Sequence, residues 1–155
     1  MSFRVAAQGP HIRVAASGAE LDVLRAVGDV VGSVGSQFDD PARDRLFPPP
    51  YGSEEDDREY HRFSHGEIEA GRSADLAIVA EVVERLEAGP AELTPEEAEG
   101  LARAVGTARI VVAARNGMFA LEELPRRPVT PQETVVAFLG AVQDDVVQAL
   151  LETLP

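Results

Sequence analysis

The chain has 155 residues, a formal net charge of −13 and a pI near 4.5, and every one of its 14 Lys or Arg positions is arginine. It has no cysteine, which excludes disulfides, thiolate nucleophiles and cysteine-ligated zinc within the chain. The negative charge opposes nucleic-acid phosphate unless arginines gather on one face, and 5% aromatic content without Trp leaves alanine, valine and leucine to build the core.

The length fits one domain over 1–155, divided into a β-hairpin (1–16) and a helical bundle (17–155) with a proline-rich connector at 46–52. No basic segment followed by an apolar run opens the chain, so no signal peptide is expected. No stretch approaches ~20 consecutive apolar residues, so no membrane span is expected. The expected location is the cytoplasm.

Phe3 to Ala7 and Ile12 to Ala16 are short runs containing β-branched residues, with Gln8-Gly9-Pro10 between them as turn material. They read as a β-hairpin, which must lie on other elements to be stable. Ser17 followed by Glu20 has the form of a capping box. Leu21, Leu24, Val27, Val30, Val31 and Val34 then recur at helical spacing. Gly28, Gly32 and Gly35 weaken that helix and would admit a close neighbour. Asp39-Asp40-Pro41 reads as a break, with Pro41 opening a short turn of helix.

Pro48, Pro49 and Pro50 bar both helix and strand, so residues 46–52 read as an ordered connector. Asp57 to Phe63 reads as a turn or two of helix. Ser64 with Glu67 repeats the capping-box pattern, and Ile68, Leu76, Val79, Val82, Val83 and Leu86 continue it, with Gly71 and Ser73 as places for a kink. Glu87-Ala88-Gly89-Pro90 ends that helix. Thr94-Pro95-Glu96-Glu97 supplies a cap, a proline at the first helical position and a glutamate at the third. The helix that follows is apolar over much of its circumference, which places it at the centre, and Asn116-Gly117 stops it. Met118 to Leu124 fits a brief strand or an extended loop. Thr130-Pro131-Gln132-Glu133 repeats the same start, and Val135, Phe138, Leu139, Val142, Val146, Leu150 and Leu154 form one stripe. The expected fold is mainly α: a bundle of about four longer helices with a short N-terminal hairpin.

Chemistry-bearing patterns are sparse. Asp57, His61 and His65 are spaced four apart, as on one helix face, but Ser64 as a cap would part the histidines, so a solvated face is the stronger reading. Glu54-Glu55-Asp56-Asp57 lacks the alternation and glycine of an EF-hand loop and reads as a solvated acidic loop. There is no phosphate loop, GxSxG or HExxH, so neither cofactor nor catalytic site is expected. Arg109 falls within the apolar segment Val105 to Ala114. A buried arginine needs acceptors, so it reads as one half of an ion pair with an acid such as Glu59 or Asp75. The competing reading is an anion site shared with Arg62.

Several stretches resemble one family in order along the chain. Arg45-Leu46-Phe47-Pro48-Pro49-Pro50-Tyr51 is similar to its Leu-Phe-Pro-Pro-Ala-Tyr signature, and Glu59-Tyr60-His61-Arg62-Phe63 to the segment after it. Leu101 to Gly117 is similar to its central helix, with Arg109 and Arg115 at the two arginine places, and Phe138 to Gln143 to its closing helix. These are the AosR-like proteins, an actinobacterial group described as oxidative-stress transcriptional regulators. Pro50 stands where the family often has alanine. The resemblance implies a regulator of redox and stress genes working with a sigma factor or RNA polymerase, with DNA contacted indirectly. It marks Leu46, Phe47, Pro48, Pro49, Tyr51, Arg62 and Arg109 as signature positions, structural or interacting. Without cysteine, oxidation cannot be sensed here by a thiol pair; Met118 is the internal alternative. A helical adaptor without a role at DNA is the competing expectation, and homodimerisation through the hairpin or the last helix is a further one.

Overall fold

A computed structural model describes residues 2–34, 41–46, 72–118, 128 and 130–155. Strands β1 (Ser2–Gln8) and β2 (His11–Ser17) form the expected hairpin, closed by Gly9-Pro10. Gly9 has φ of 62°, which a type II′ loop requires at its first position, and the proline ring fits the second. A third strand that sequence patterning missed, β3 (Ala91–Leu93), pairs antiparallel with β2, giving the order β1-β2-β3.

The register assigns the backbone groups. A two-residue loop makes its closing pair, Gln8 and His11, a hydrogen-bonded one, and such pairs alternate. Ser2, Arg4, Ala6 and Gln8 therefore bond to β2, while Phe3, Val5 and Ala7 turn their N–H and C=O groups to the outer edge. On the far side, Ile12 and Val14 of β2 bond to Leu93 and Ala91 by the same alternation, and Glu92 turns outward. The Glu92 carbonyl accepts from Arg85 Nη2 at 2.8 Å, which fits that phase.

Helix α1 (Ala19–Gly32) begins one residue later than Ser17 as a cap would require. Ser17 is still paired in β2, opposite Ser2, and Gly18 at φ 62° takes the N-cap place without a side-chain bond. Leu21, Leu24, Val27 and Val31 are buried as the spacing predicts. An added Cβ at Gly28 or Gly32 would meet nothing within 4 Å, so no described residue makes the close approach expected there, and Gly35 lies outside the described residues. Helix α2 (Pro41–Leu46) starts at the expected proline. Residues 72–88 are helical (α3), continue through Ser73 and end at Gly89, whose φ is 142°. Val79, Val82, Val83 and Leu86 line its buried side.

Helix α4 (Pro95–Arg115) is central, packing against α1, α2, α5 and the sheet, with Gly100 set against Ile78 of α3. Its small buried residues, among them Ala98, Gly100, Ala104 and Ala108, let neighbours approach from several sides. Thr94 and Glu97 complete a reciprocal capping box. Gly117 (φ 74°) and Met118 return their N–H groups to Ala114 and Ala113 in a Schellman-type stop. Helix α5 (Pro131–Glu152) opens with the same box, from Thr130 and Glu133. Leu24, Leu101 and Leu139 are almost wholly buried in the common core, each contributing about 2–3 kcal/mol of transfer free energy.

One expectation about α5 is corrected. Its stripe includes Val136, fully buried, but not Leu154, which lies past the helix end and is 65% exposed. By length and composition α5 would qualify to cross a membrane, with a mean hydropathy of 1.4 over 18 residues. Asp144-Asp145 and the stripe Val136, Leu139, Val142 and Val146 buried on its neighbours mark it instead as a core helix. The helix and strand expectations over 47–71 and 119–124 lie outside the described residues.

Candidate functional site

Helix α4 presents arginines to two different neighbours. Arg103 meets Asp75 of α3 through two bonds, Nε to Oδ2 and Nη2 to Oδ1, both 3.0 Å. This geometry corrects the expected pairing of Asp75 with Arg109. Arg103 shares a face with Gly100, which touches α3, whereas Arg109 lies six residues on and shares the face of Gly106, which meets Gln143 of α5.

At that second face the two helices interlock. The Gln143 side chain covers Gly106, and the Arg109 guanidinium lies over Gly140, where an added Cβ would stand 3.1 Å from Cζ. A side chain at Gly106 would displace the Gln143 amide, and one at Gly140 would crowd the Arg109 guanidinium. Arg109 Nε is buried without a hydrogen-bond acceptor, and Arg109 forms no ion pair among the described residues. The guanidinium plane packs over Gly140.

Of the other signature positions, Leu46 is half-buried at the end of α2, against the small cluster of Ala42, Val111 and Ala114. Phe47, Pro48, Pro49, Tyr51 and Arg62 lie outside the described residues, as do Glu59, His61, His65 and the acidic run 54–57. No group of three metal-ligating side chains occurs among the described residues.

The surface arginines divide in two. On the helices, Arg25 binds Glu87 and Asp22, Arg85 binds Glu97 and Glu81, and Arg103 binds Asp75 and Glu99. Arg4 and Arg13 stand on the outward face of the sheet, exposed, with Arg13 opposite Glu92 in register, and neither forms an ion pair among the described residues. Sequence reasoning overlooked both. The signal was present: Arg-Val-Ala-Ala occurs at Arg4 and again at Arg13, and strand alternation sends both arginines away from the buried Val14 and half-buried Val5.

Beneath β1 runs the C-terminal half of α5, and the two bound an open groove of about 330 Å³. Phe3, Arg4 and Val5 form the strand wall; Asp145, Gln148, Ala149 and Glu152 form the helix wall. Neither carboxylate is tied to a cation among the described residues. A second, larger hollow of about 410 Å³ lies between the β2–α1 junction and the end of α3, lined mostly by small residues.

Compared with known proteins, residues 3–150 match a family described as Domain of unknown function (DUF2017). No curated protein and no solved structure matches the chain.

Proposed function

The chain belongs to the DUF2017 family, whose description assigns no function, and from that premise we propose a cytoplasmic, non-enzymatic regulator of redox and stress genes that works through protein contacts. The partner is a sigma factor or RNA polymerase, reached through a basic surface on the partner. The likeness of the 45–51, 59–63 and 101–117 stretches to the AosR-like regulators supports the gene-regulatory part. The observation that carries the protein-contact part is the arginine distribution. A protein that binds duplex DNA directly commonly makes about 6–10 phosphate contacts. Among the described residues, the helix arginines Arg25, Arg85 and Arg103 are engaged by carboxylates, and the sheet face offers only Arg4 and Arg13.

A second reading is an adaptor with no role at DNA. Val147, Leu151 and Leu154 favour it, since they leave an apolar strip exposed at the end of α5.

The test is a fluorescence titration with promoter-sized duplex DNA at low and near-physiological salt, with and without stress sigma factors. Binding only with a sigma factor present supports the proposal. Steeply salt-dependent binding by the protein alone makes it a direct DNA binder. No binding in any mixture leaves the adaptor.

A further inference from the structure

We propose that the groove between β1 and α5 receives an extended, basic segment of a partner protein, which adds to the sheet as a fourth strand. The inference rests on the protein-contact reading above and names the surface that serves it.

Three observations converge. First, β1 pairs only with β2 among the described residues, and the register leaves the N–H and C=O groups of Phe3, Val5 and Ala7 directed outward. Such a row is a template for an added strand. Second, β1 lacks the usual protections of an edge. It is seven residues long, contains no proline, and carries Arg4 as its single charge. Third, the groove beside that edge is walled by α5, and its helix wall bears Asp145 and Glu152. A strand laid against β1 sends alternate side chains toward α5. Lysine or arginine there would meet both carboxylates, while the intervening positions would lie on the outer face beside Arg4. Backbone bonds would supply affinity, and the carboxylates would select a basic sequence.

The probe is a short blocked peptide alternating valine and lysine, fluorescently labelled and titrated against the intact protein. Amide exchange is followed by NMR. Binding should slow exchange at Phe3, Val5 and Ala7. The same peptide N-methylated at alternate residues should bind about tenfold more weakly, having lost its strand donors. Val5→Pro should weaken binding similarly and lower the melting temperature only by the part of the Val5 packing that is lost, because the Val5 N–H does not serve β2. Asp145→Asn with Glu152→Gln should weaken binding and flatten its salt dependence.

Binding that leaves those three amides unaltered, or equal binding of the N-methylated peptide, would overturn the proposal. So would a dimer by sedimentation in which the three amides are already slow, since a second copy would then hold the edge. A sigma factor retained fully by Val5→Pro removes the groove and leaves the regulator reading standing. Peptide binding without any sigma factor or polymerase binding keeps the groove and removes that reading.

Discussion

The two edges of the small sheet face the same problem and meet it differently. At β3 the strand is three residues long, with Pro90 before it and Pro95 after it. Its outward carbonyl, at Glu92, is taken by Arg85, which also binds Glu97 at 2.8 Å. Ala91 and Leu93 are both buried in the core. At β1 the strand is more than twice as long, its inward residues are only half-buried, and no side chain among the described residues caps its outward groups. One edge is closed by a helix arginine and anchored by core side chains, whereas the other is held mainly by its hairpin partner. An uncapped edge of this length is a template on which another strand can pair.

The anchoring of β3 gives the largest expected effect. Leu93→Ala removes a fully buried side chain between the sheet and the helices. It should cost about 3 kcal/mol in urea unfolding, from lost transfer free energy and the cavity left behind. A cost below about 1 kcal/mol would mean that β3 is not anchored as described.

Proline scanning along β1 sharpens the contrast next. Ala6 bonds to β2 and Ala7 faces outward, although both are alanine. Ala6→Pro should therefore destabilise by about 2 kcal/mol, from the lost ladder bond and the carbonyl left on Arg13. Ala7→Pro should stay within about 1 kcal/mol, because an outward N–H on an edge is the place a strand tolerates proline. Equal costs at the two positions would show the hydrogen-bond phase to be the reverse.

Arg85→Ala opens the closed edge. It frees the Glu92 carbonyl and removes the cation from Glu97. Both ends of the contact remain partly in water, so the expected loss is about 1 kcal/mol. Faster exchange at the amides of Ala91 and Leu93 would accompany it, while the hairpin amides of β1 should not respond.

Much of this architecture is legible from residue order, because it is set locally. Thr94-Pro95-Glu96-Glu97 and Thr130-Pro131-Gln132-Glu133 start helices through bonds spanning three residues. Gly9-Pro10 dictates its loop for the same reason. β3 was not legible, since Ala91-Glu92-Leu93 is too short for alternation to stand out and exists because β2 lies beside it. Arginine partners were not legible either. Six residues along α4 separate Arg103 from Arg109, and only the placement of α3 decides that Asp75 takes the first. Arg109 is left with a buried Nε lacking an acceptor, the interior counterpart of an uncapped edge. Arg109→Met puts an unbranched apolar chain in place of the guanidinium over Gly140 and removes that donor, so stability should change by less than about 1 kcal/mol. A large loss would show that the guanidinium does have an essential partner.

The smallest effect concerns acid. Burial pushes the Glu97 carboxyl upward, but the Thr94 backbone N–H, Arg85 and the Thr94 side chain outweigh it and hold the group below its ordinary value. A carboxyl lowered by folding contributes stability that is fully present above its unfolded pKa, about 4.3. That contribution is lost as pH falls through the lower, folded value. Glu97→Gln keeps a capping acceptor at this position but removes the charge. The parent should therefore exceed the variant in urea midpoint at neutral pH, and the gap should narrow as the pH drops below about 4. In the Arg85→Ala background the gap at neutral pH should be smaller and its narrowing should end at a higher pH, because a cation that lowers the folded carboxyl is gone. A gap independent of pH would detach Glu97 from Arg85, and with it the link between the closed edge of the sheet and the start of α4.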